Sequence, residues 1–577
     1  MSYCRNGRNQ CLGAMLGSAL LWLTGCIQQT EMPPAEKRQN VSAEQPYEPK
    51  DSAPSPSGTV AGDSLARMPQ SAMAREAVMP PYSHPRPPYF PRPPVMPPSA
   101  DRFPDKEPTS VLSAAEHPVS TFSVDVDTAS YAFVRRNLTG GRMLPREAVR
   151  VEELVNYFPY AYQAPENRAQ PFRVTTTVLP SPWAVENQLL HIAIRGYDIA
   201  RHERPRANVV LLIDTSGSMA PSDRLPLLQQ GFRLFVQQLR DDDRVAIVTY
   251  AGQAQTALDP TQGRDKQKVL DAIDSLRASG STAGGEGLQR AYALAERHFD
   301  REAVNRVILA TDGDFNVGIT NPKELERFIA AKRKTGIYLS ILGVGAGNLN
   351  DALVQRLAQA GNGNAAYIDS LLEARKAMSE ELSSTMFPIA DDVKIQVEFN
   401  PARVAEYRLI GYETRMLKRE DFNDDKVDAG DIGAGHTVTA IYEITPVGAK
   451  QRQLDPLRYR QEGERPAPAS TARADELAFV KLRYKLPGET NSHLIERPVR
   501  SADALAKIDA APVEQRFAIA VAAFGQRLRG ENAVDGFSFG KIAELANGAR
   551  GGDPEGYRAE FVRLVRMAET LGAVARR

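Results

Sequence analysis

A strongly apolar segment leads directly into a cluster of oxygen-bearing side chains. The run Val209–Ile213 is followed by the motif D-x-S-x-S, which spans Asp214–Ser218. In an open α/β sheet, ligands bind beyond the carboxyl ends of the strands, which is where this motif is expected to lie. Carboxylate and hydroxyl oxygens are hard donors that suit Mg²⁺, Ca²⁺ or Mn²⁺ and suit zinc poorly. Because Ser and Asp also cap helices and turns, the motif alone does not distinguish a metal site from a cap.

Two later segments favour the metal site. Gly280–Gly287 is a glycine-rich loop with Thr282 near its centre, and Arg306–Ala310 is an apolar strand that runs into the acidic turn Thr311–Asp314. In this order and spacing, the three segments closely resemble the von Willebrand factor A (VWA) domain and its metal-ion-dependent adhesion site. The resemblance implies that the metal ligands are Asp214, Ser216, Ser218, Thr282 and Asp312.

The same resemblance implies how such a site works. The bound metal keeps one coordination position open, and a carboxylate of a partner protein fills it. Three of the implied ligands are neutral hydroxyls, so the site remains attractive to an anionic group. Mg²⁺ fits best, with Ca²⁺ or Mn²⁺ as alternatives, because Mg²⁺ accepts few protein carboxylates and retains water ligands.

Hydrophobic periodicity predicts the fold around the motif. From about residue 208 to 386, short apolar runs alternate with segments of helical spacing. Such alternation predicts an α/β fold with a doubly wound, mostly parallel sheet that is covered on both faces, VWA-like and Rossmann-like. The expected helices lie near 225–239, 269–276, 288–294 and 325–329, and the expected strands near 209–213, 245–248, 306–310 and 337–344.

The amino-terminal segment predicts export and lipidation. Arg5 and Arg8 precede the apolar stretch Leu12–Leu23, which is too short for a good membrane span and reads as a signal-peptide core. The following Leu23–Cys26 resembles a bacterial lipobox, which implies that Cys26 is lipidated and becomes the first residue. An ordinary signal peptide with a chance cysteine is the alternative. Ile27 at the next position favours the outer membrane of a Gram-negative bacterium over inner-membrane retention.

Composition divides the rest of the chain. Residues 26–115 are rich in Pro, Ser, Ala, Glu and Gln and poor in large apolar residues, which predicts a disordered tether with a semi-rigid proline-rich part between Pro80 and Pro98. A docking peptide or a contact with peptidoglycan is the alternative for that part. The predicted regions are a signal peptide (1–25), the tether (26–115), an amino-terminal VWA-associated region (116–200), the VWA domain (205–387), a β-rich module (388–500) and a helical carboxyl-terminal domain (501–577).

The segments Phe122–Tyr131 and Val151–Phe158, together with the VWA-like region, resemble the amino-terminal region of bacterial VWA lipoproteins of the YfbK-like kind, and the helical tail from about residue 501 resembles their carboxyl-terminal domain. Strict alternation of apolar residues predicts two strands between 172 and 198 and further strands at 393–399, 438–444 and 478–484. Asp125 and Asp127 alternate with valines, which predicts solvated acids at a strand edge, with a second metal site as the alternative.

Enzyme signatures are scarce. The sequence has no phosphate-binding loop of the G-x-x-x-x-G-K-[ST] type and no H-E-x-x-H motif. Gly536–Gly540 matches G-x-S-x-G, but a polar segment precedes it instead of the buried strand that a nucleophile elbow needs. With 71 basic and 71 acidic residues, the net charge of zero does not favour nucleic acid. The sequence therefore predicts a non-enzymatic envelope lipoprotein that captures an acidic protein partner. A cell-envelope hydrolase or assembly factor is the alternative.

Overall fold

The computed structural model describes residues 101–103, 106–280, 286–313, 321–345, 350–455 and 473–574. The predicted signal peptide with Cys26, nearly all of the predicted tether and Thr282 lie outside these residues, as does most of the charged segment between Gln451 and Thr471. Within the described part, no helix is both long enough and apolar enough to cross a membrane.

Strands and helices account for most of the described chain. The strands are β1 Leu112–Ser113, β2 Val119–Ser123, β3 Phe172–Pro180, β4 Gln188–Gly196, β5 Arg206–Asp214, β6 Arg244–Tyr250, β7 Ala254–Gln262, β8 Ala303–Thr311, β9 Ile337–Val344, β10 Ala365–Ile368, β11 Pro388–Phe399, β12 Val404–Leu409, β13 Met416–Leu417, β14 Gly430–Gly433, β15 Thr437–Pro446, β16 Glu476–Lys485 and β17 Ser492–Arg500. The helices are α1 Ala129–Thr139, α2 Val151–Asn156, α3 Leu225–Gln238, α4 Lys266–Ser275, α5 Gly287–Arg297, α6 Pro322–Arg333, α7 Asp351–Ala360, α8 Leu371–Arg375, α9 Leu382–Met386, α10 Val513–Arg529, α11 Phe539–Gly548 and α12 Tyr557–Val574.

A six-stranded central sheet confirms the predicted fold class. Its strand order is β10-β9-β8-β5-β6-β7, and all neighbours are parallel except β6 and β7. Successive residues of β5 face opposite sides, so Val209 and Leu211 pack against α3 and α4, while Val210 and Leu212 pack against α1, α5, α6 and α7. Helices therefore cover both faces, which explains why the strands read as continuous apolar runs.

A strand that was not predicted and a shifted boundary distinguish the structure from the sequence-based expectation. The edge strand β7 is polar and contains Pro260, a residue that edge strands tolerate, so periodicity did not reveal it. The predicted end of the tether at residue 115 is too late, because Leu112 and Ser113 already pair with Tyr407 and Glu406 of β12. A two-residue strand is too short to produce an alternating pattern.

The flanking regions form two antiparallel sheets and a helical layer. One sheet has the order β1-β12-β15-β4-β3, and the other has β13-β2-β11-β16-β17 with β14 beside β11. Each sheet combines strands from both sides of the central domain in the sequence, and the apolar faces of the two sheets share one core. Helices α10, α11 and α12 pack against α2 and the first of these sheets around a second core that contains Phe158 and Phe517.

The prediction that Asp125 and Asp127 are solvated is wrong. Both side chains are buried, at 1% and 3% exposure. Arg415, which follows β12, donates to Asp125 through Nε at 2.9 Å and Nη2 at 3.0 Å, and its Nη2 also lies 2.8 Å from Asp127 Oδ2. No local pattern indicated this burial, because the guanidinium comes from a segment about 290 residues away.

A second arginine extends this buried charge cluster to the central domain. Arg150 pairs with Glu153 of α2 and with Asp351 at the start of α7, where its Nη1 lies 2.7 Å from Oδ2. Carboxylate oxygens of Asp125, Asp127 and Glu153 approach within 4.8 Å of one another. The two guanidinium groups supply the positive charge among them, so the geometry favours an ion-pair cluster that joins the flanking regions to the central domain.

Buried Glu152 is expected to make the stability of the protein depend on pH. Burial, with the neighbouring Glu413 and Asp125, raises the pKa of Glu152 from 4.5 to about 8. The folded chain then holds a proton that the unfolded chain releases, so stability falls as pH rises from about 4.5 to 8. We expect wild type to lose about 1.4 kcal/mol per pH unit relative to Glu152→Gln in this window, measured by urea unfolding at pH 5.5 and 7.5. Glu147→Gln, at an exposed position, serves as the control. Parallel pH curves for wild type and Glu152→Gln would contradict the expectation.

Candidate metal site at the carboxyl edge of the central sheet

The candidate site lies where two neighbouring strands end. β5 ends at Asp214, and β8 ends at Thr311, directly before Asp312. The two strands are parallel, with Ile213 opposite Ala310, so their terminal acids lie at the same edge of the sheet. Both acids are buried, at 0% and 2% exposure. The fold thus places the first and last predicted ligands beside each other although almost one hundred residues separate them.

The D-x-S-x-S loop folds back on its own aspartate. The Ser216 backbone N–H donates to Asp214 Oδ1 at 2.8 Å, and the hydroxyls of Ser216 and Ser218 lie 2.9 Å apart. These contacts place one carboxylate and two hydroxyls in a single turn. Ser216 is buried, and Ser218 is partly exposed.

The glycine-rich loop starts at this turn. Ser279 N–H donates to the Thr215 carbonyl at 2.8 Å, and Gly217 N–H donates to the Gly280 carbonyl at 3.0 Å. Gly280 has a φ of 86°, a left-handed conformation that favours glycine. Thr282 lies two residues beyond this contact and outside the described residues. The structure therefore describes the glycine-rich loop only as far as Gly280 on its approach to the site.

The carboxylates of the site have unused acceptor capacity. Within the described residues, Asp214 Oδ2 and Asp312 Oδ1 are buried and accept no hydrogen bond. Burial raises the pKa of Asp214 to about 6, and the charge of Asp312 contributes to the rise, whereas hydrogen bonds from Ser216 oppose it. A buried acceptor without a donor is costly, and a bound cation would remove that cost. Two such oxygens beside two hydroxyls fit a hard divalent ion.

Arg224 is a neighbour of the site that the sequence did not reveal. Its Nη1 donates to the Ser218 carbonyl at 2.7 Å and forms an ion pair with Asp312. The side chain passes closely over Gly345, where a Cβ would clash with Nε of the guanidinium. Arg224 directly precedes α3 in the sequence, a position typical of surface residues, so no pattern indicated this contact.

The G-x-S-x-G match has a structural role. Ser538 precedes α11, and its hydroxyl accepts a hydrogen bond from the Lys541 backbone N–H at 3.3 Å. It is therefore a helix N-cap, preceded by a short 3₁₀ turn at Asn532–Val534 and not by a buried strand. Among the described residues, this arrangement gives no support to a serine nucleophile.

Comparison with known proteins defines the class. Residues 208–380 match the model of the von Willebrand factor type A domain, and residues 97–191 match one described as von Willebrand factor. Residues 384–571 match the model described as uncharacterized protein YfbK, C-terminal. The chain is thus a VWA-domain protein, and VWA domains generally serve adhesion or protein interaction.

One relative places the chain in a family. The uncharacterized protein YfbK of Escherichia coli K12 is 45% identical over 478 residues, which cover 82% of each chain. The chain therefore belongs to the YfbK family. Among solved structures, a von Willebrand factor type A protein from Catenulispora acidiphila matches 69% of this chain and 89% of its own length at 17% identity and a TM-score of 0.38. BatB from Bacteroides thetaiotaomicron matches 31% of this chain and 97% of its own at 25% identity and a TM-score of 0.26.

Proposed function

We propose that this protein is a non-enzymatic cell-envelope lipoprotein whose VWA domain binds Mg²⁺ and captures a partner protein through an acidic side chain. The observation that carries the proposal is the pair of buried, unpartnered oxygens, Asp214 Oδ2 and Asp312 Oδ1, at one edge of the sheet. Buried acceptors without donors are rare in folded proteins, and a cation accounts for both at once.

Each residue of the proposed site has a distinct role. Asp214 and Asp312 supply the negative charge, whereas the hydroxyls of Ser216, Ser218 and Thr282 contribute neutral oxygens. The two carboxylates balance the charge of a divalent ion, and because the other ligands are neutral hydroxyls, the site carries no excess negative charge that would repel an acidic side chain. When bound, the metal supplies a Lewis-acidic position for that carboxylate. The partial exposure of Ser218 marks the side from which the partner would approach.

The experiment that tests this function is capture of envelope proteins by the detergent-solubilised full chain, with Mg²⁺ or with EDTA. We propose that capture requires Mg²⁺, is lost in Ser218→Ala and is retained in Ser222→Ala, an exposed serine beyond the motif. Capture that survives both EDTA and Ser218→Ala would contradict the proposal. Turnover of an envelope substrate without a partner would instead favour the hydrolase alternative.

The lipid anchor has its own test. We expect Cys26→Ser to release the protein from the membrane fraction in detergent-free fractionation, because the proposed lipid on Cys26 is the anchor. Cys11→Ser is the matched control, since Cys11 lies in the segment that signal-peptide cleavage is expected to remove. If the Cys26→Ser protein stays with membranes, the lipobox assignment is wrong.

Thr282 distinguishes metal ligation from helix capping. If Thr282 is a metal ligand, Thr282→Ala should strongly weaken partner capture but leave the thermal stability in EDTA almost unchanged. If Thr282 only caps the following helix, Thr282→Ala should lower the free energy of unfolding by about 1 kcal/mol with or without metal. Ser279→Ala, in the same loop and exposed, is the control. Intact capture together with an equal stability loss in Mg²⁺ and in EDTA would remove Thr282 from the site.

A further inference from the structure

Arg306 is a buried arginine of the central sheet. It lies on β8, is 3% exposed and stands opposite Tyr338 of β9, with its guanidinium carbon 5.6 Å from the centre of the tyrosine ring. Its Nη1 donates to Ser340 Oγ at 2.6 Å. Its Nε is buried and has no acceptor among the described residues. A buried guanidinium with so few partners is unusual, because buried charges are normally paired.

The neighbouring charges do not neutralise Arg306. No carboxylate in the described part of the chain forms an ion pair with it. Glu381, which lines the same cavity, pairs with Lys376. Asp431 makes no hydrogen bond or ion pair with Arg306 and acts on it only by long-range attraction, and burial raises the pKa of Asp431 well above its ordinary value, which disfavours its charged form. Burial and Lys376 lower the pKa of His436, another lining residue, to about 4, which leaves that ring neutral. The surroundings therefore retain one positive charge.

A cavity lies beside this guanidinium. It has a volume of about 50 Å³ and is lined by Arg306, Ser340 and five further polar residues, together with apolar side chains that include Ile308, Leu342 and Met378. A single water needs about 10–15 Å³ on the same measure, so the cavity has room for a small molecule of several atoms. Its polar end has a positive charge, and its walls are mainly hydrocarbon.

We propose that this cavity binds a small monocarboxylate, whose oxygens accept from the Arg306 guanidinium and whose short alkyl tail packs against Ile308, Leu342 and Met378. A carboxylate matches the planar donor fork of arginine, and one negative charge balances the one positive charge. A doubly charged phosphate fits less well, because the one cation of the cavity balances only one of its two negative charges.

The proposed pocket is separate from the candidate metal site. Arg306 precedes Asp312 by six positions, which along an extended strand corresponds to roughly 20 Å. The cavity is also lined by Val126 of the amino-terminal flank and by Met386 and His436, close to the second flanking sheet. A bound carboxylate would therefore contact the central domain and both of its flanks, and it is expected to stabilise their association.

The test is a titration of the full chain with propionate that carries ¹³C at the carboxyl carbon, followed by NMR line broadening, with thermal unfolding in parallel. We expect wild type to bind propionate and to unfold at a higher temperature in its presence. Arg306→Met should weaken binding by at least about tenfold, and Arg306→Lys, which keeps the charge but loses the fork, should weaken it less. Arg301→Met, an exposed arginine ahead of the same strand, should bind as wild type does.

Further arms separate the alternatives. Ala366→Leu fills the cavity while leaving Arg306 in place, so it should abolish binding even if Arg306→Met fails to fold. Sodium chloride at equal ionic strength should not compete with propionate, because a spherical chloride ion cannot accept two parallel hydrogen bonds from the guanidinium. N-acetyl-dialanine offers the same carboxylate at a peptide terminus and should not fit the cavity. Equal propionate binding by wild type and Ala366→Leu, or no binding by wild type, would overturn the proposal.

Discussion

Replacing Arg415 by methionine is expected to destabilise the folded protein by about 3–5 kcal/mol, because the change leaves buried carboxylates without their cation. Arg415 is 9% exposed at its side chain and contacts both Asp125 and Asp127. Methionine preserves much of the side-chain volume, so most of the loss reflects uncompensated charge. Urea unfolding followed by circular dichroism measures the effect.

Two further variants make this result specific. Arg483→Met is the control, because Arg483 is more exposed and pairs with Asp425. Surface ion pairs contribute about 0–1 kcal/mol, so this variant should lose little stability. Adding Asp125→Asn and Asp127→Asn to Arg415→Met should restore part of the lost stability, since the unpaired charges disappear. If Arg415→Met costs no more than Arg483→Met, the buried ion pairs between the two flanking regions do not contribute the expected stability.

Local sequence patterns were sufficient for four of the six strands of the central sheet, β5, β6, β8 and β9. The apolar run Ile337–Val344 predicted β9 with the bounds that the structure shows, and helical spacing predicted α3 within one residue. Strict alternation likewise identified β3, β4, β11, β15 and β16. These elements bury one face or both, so their apolar residues recur with a period that the sequence alone reveals. The polar edge strand β7 and the two-residue strand β1 have no such signature.

Long-range electrostatics could not be predicted in the same way. Whether Asp125 is solvated or buried depends on Arg415, which no local pattern connects to it. Arg224 is a similar case at the candidate site, since its contact with Asp312 arises only after β5 and β8 pair. Arg306 reads as one polar residue at the start of an apolar run, and only the fold reveals its burial. Motif spacing therefore brought Asp214, Ser216, Ser218 and Asp312 to one edge of the sheet, but it gave no information about the charges around them.

The second large effect concerns Asp214, whose replacement by alanine is expected to abolish Mg²⁺ binding without unfolding the chain. Asp214 is the last residue of β5, and one of its carboxylate oxygens has no donor among the described residues, so replacing it removes a ligand and little packing. Burial raises the pKa of Asp214 to about 6, which indicates that its charged form is costly in the metal-free protein. Thermal stability in EDTA should therefore be unchanged or slightly higher in the variant.

Isothermal titration of the solubilised full chain with Mg²⁺ tests the central claim most directly. Wild type and Asp259→Ala, a control at an exposed aspartate on β7, should bind Mg²⁺ with the same affinity, and Asp214→Ala should give no binding heat. Unchanged Mg²⁺ affinity in Asp214→Ala, or the absence of divalent-metal binding by wild type, would contradict the assignment of a metal site to this edge of the sheet.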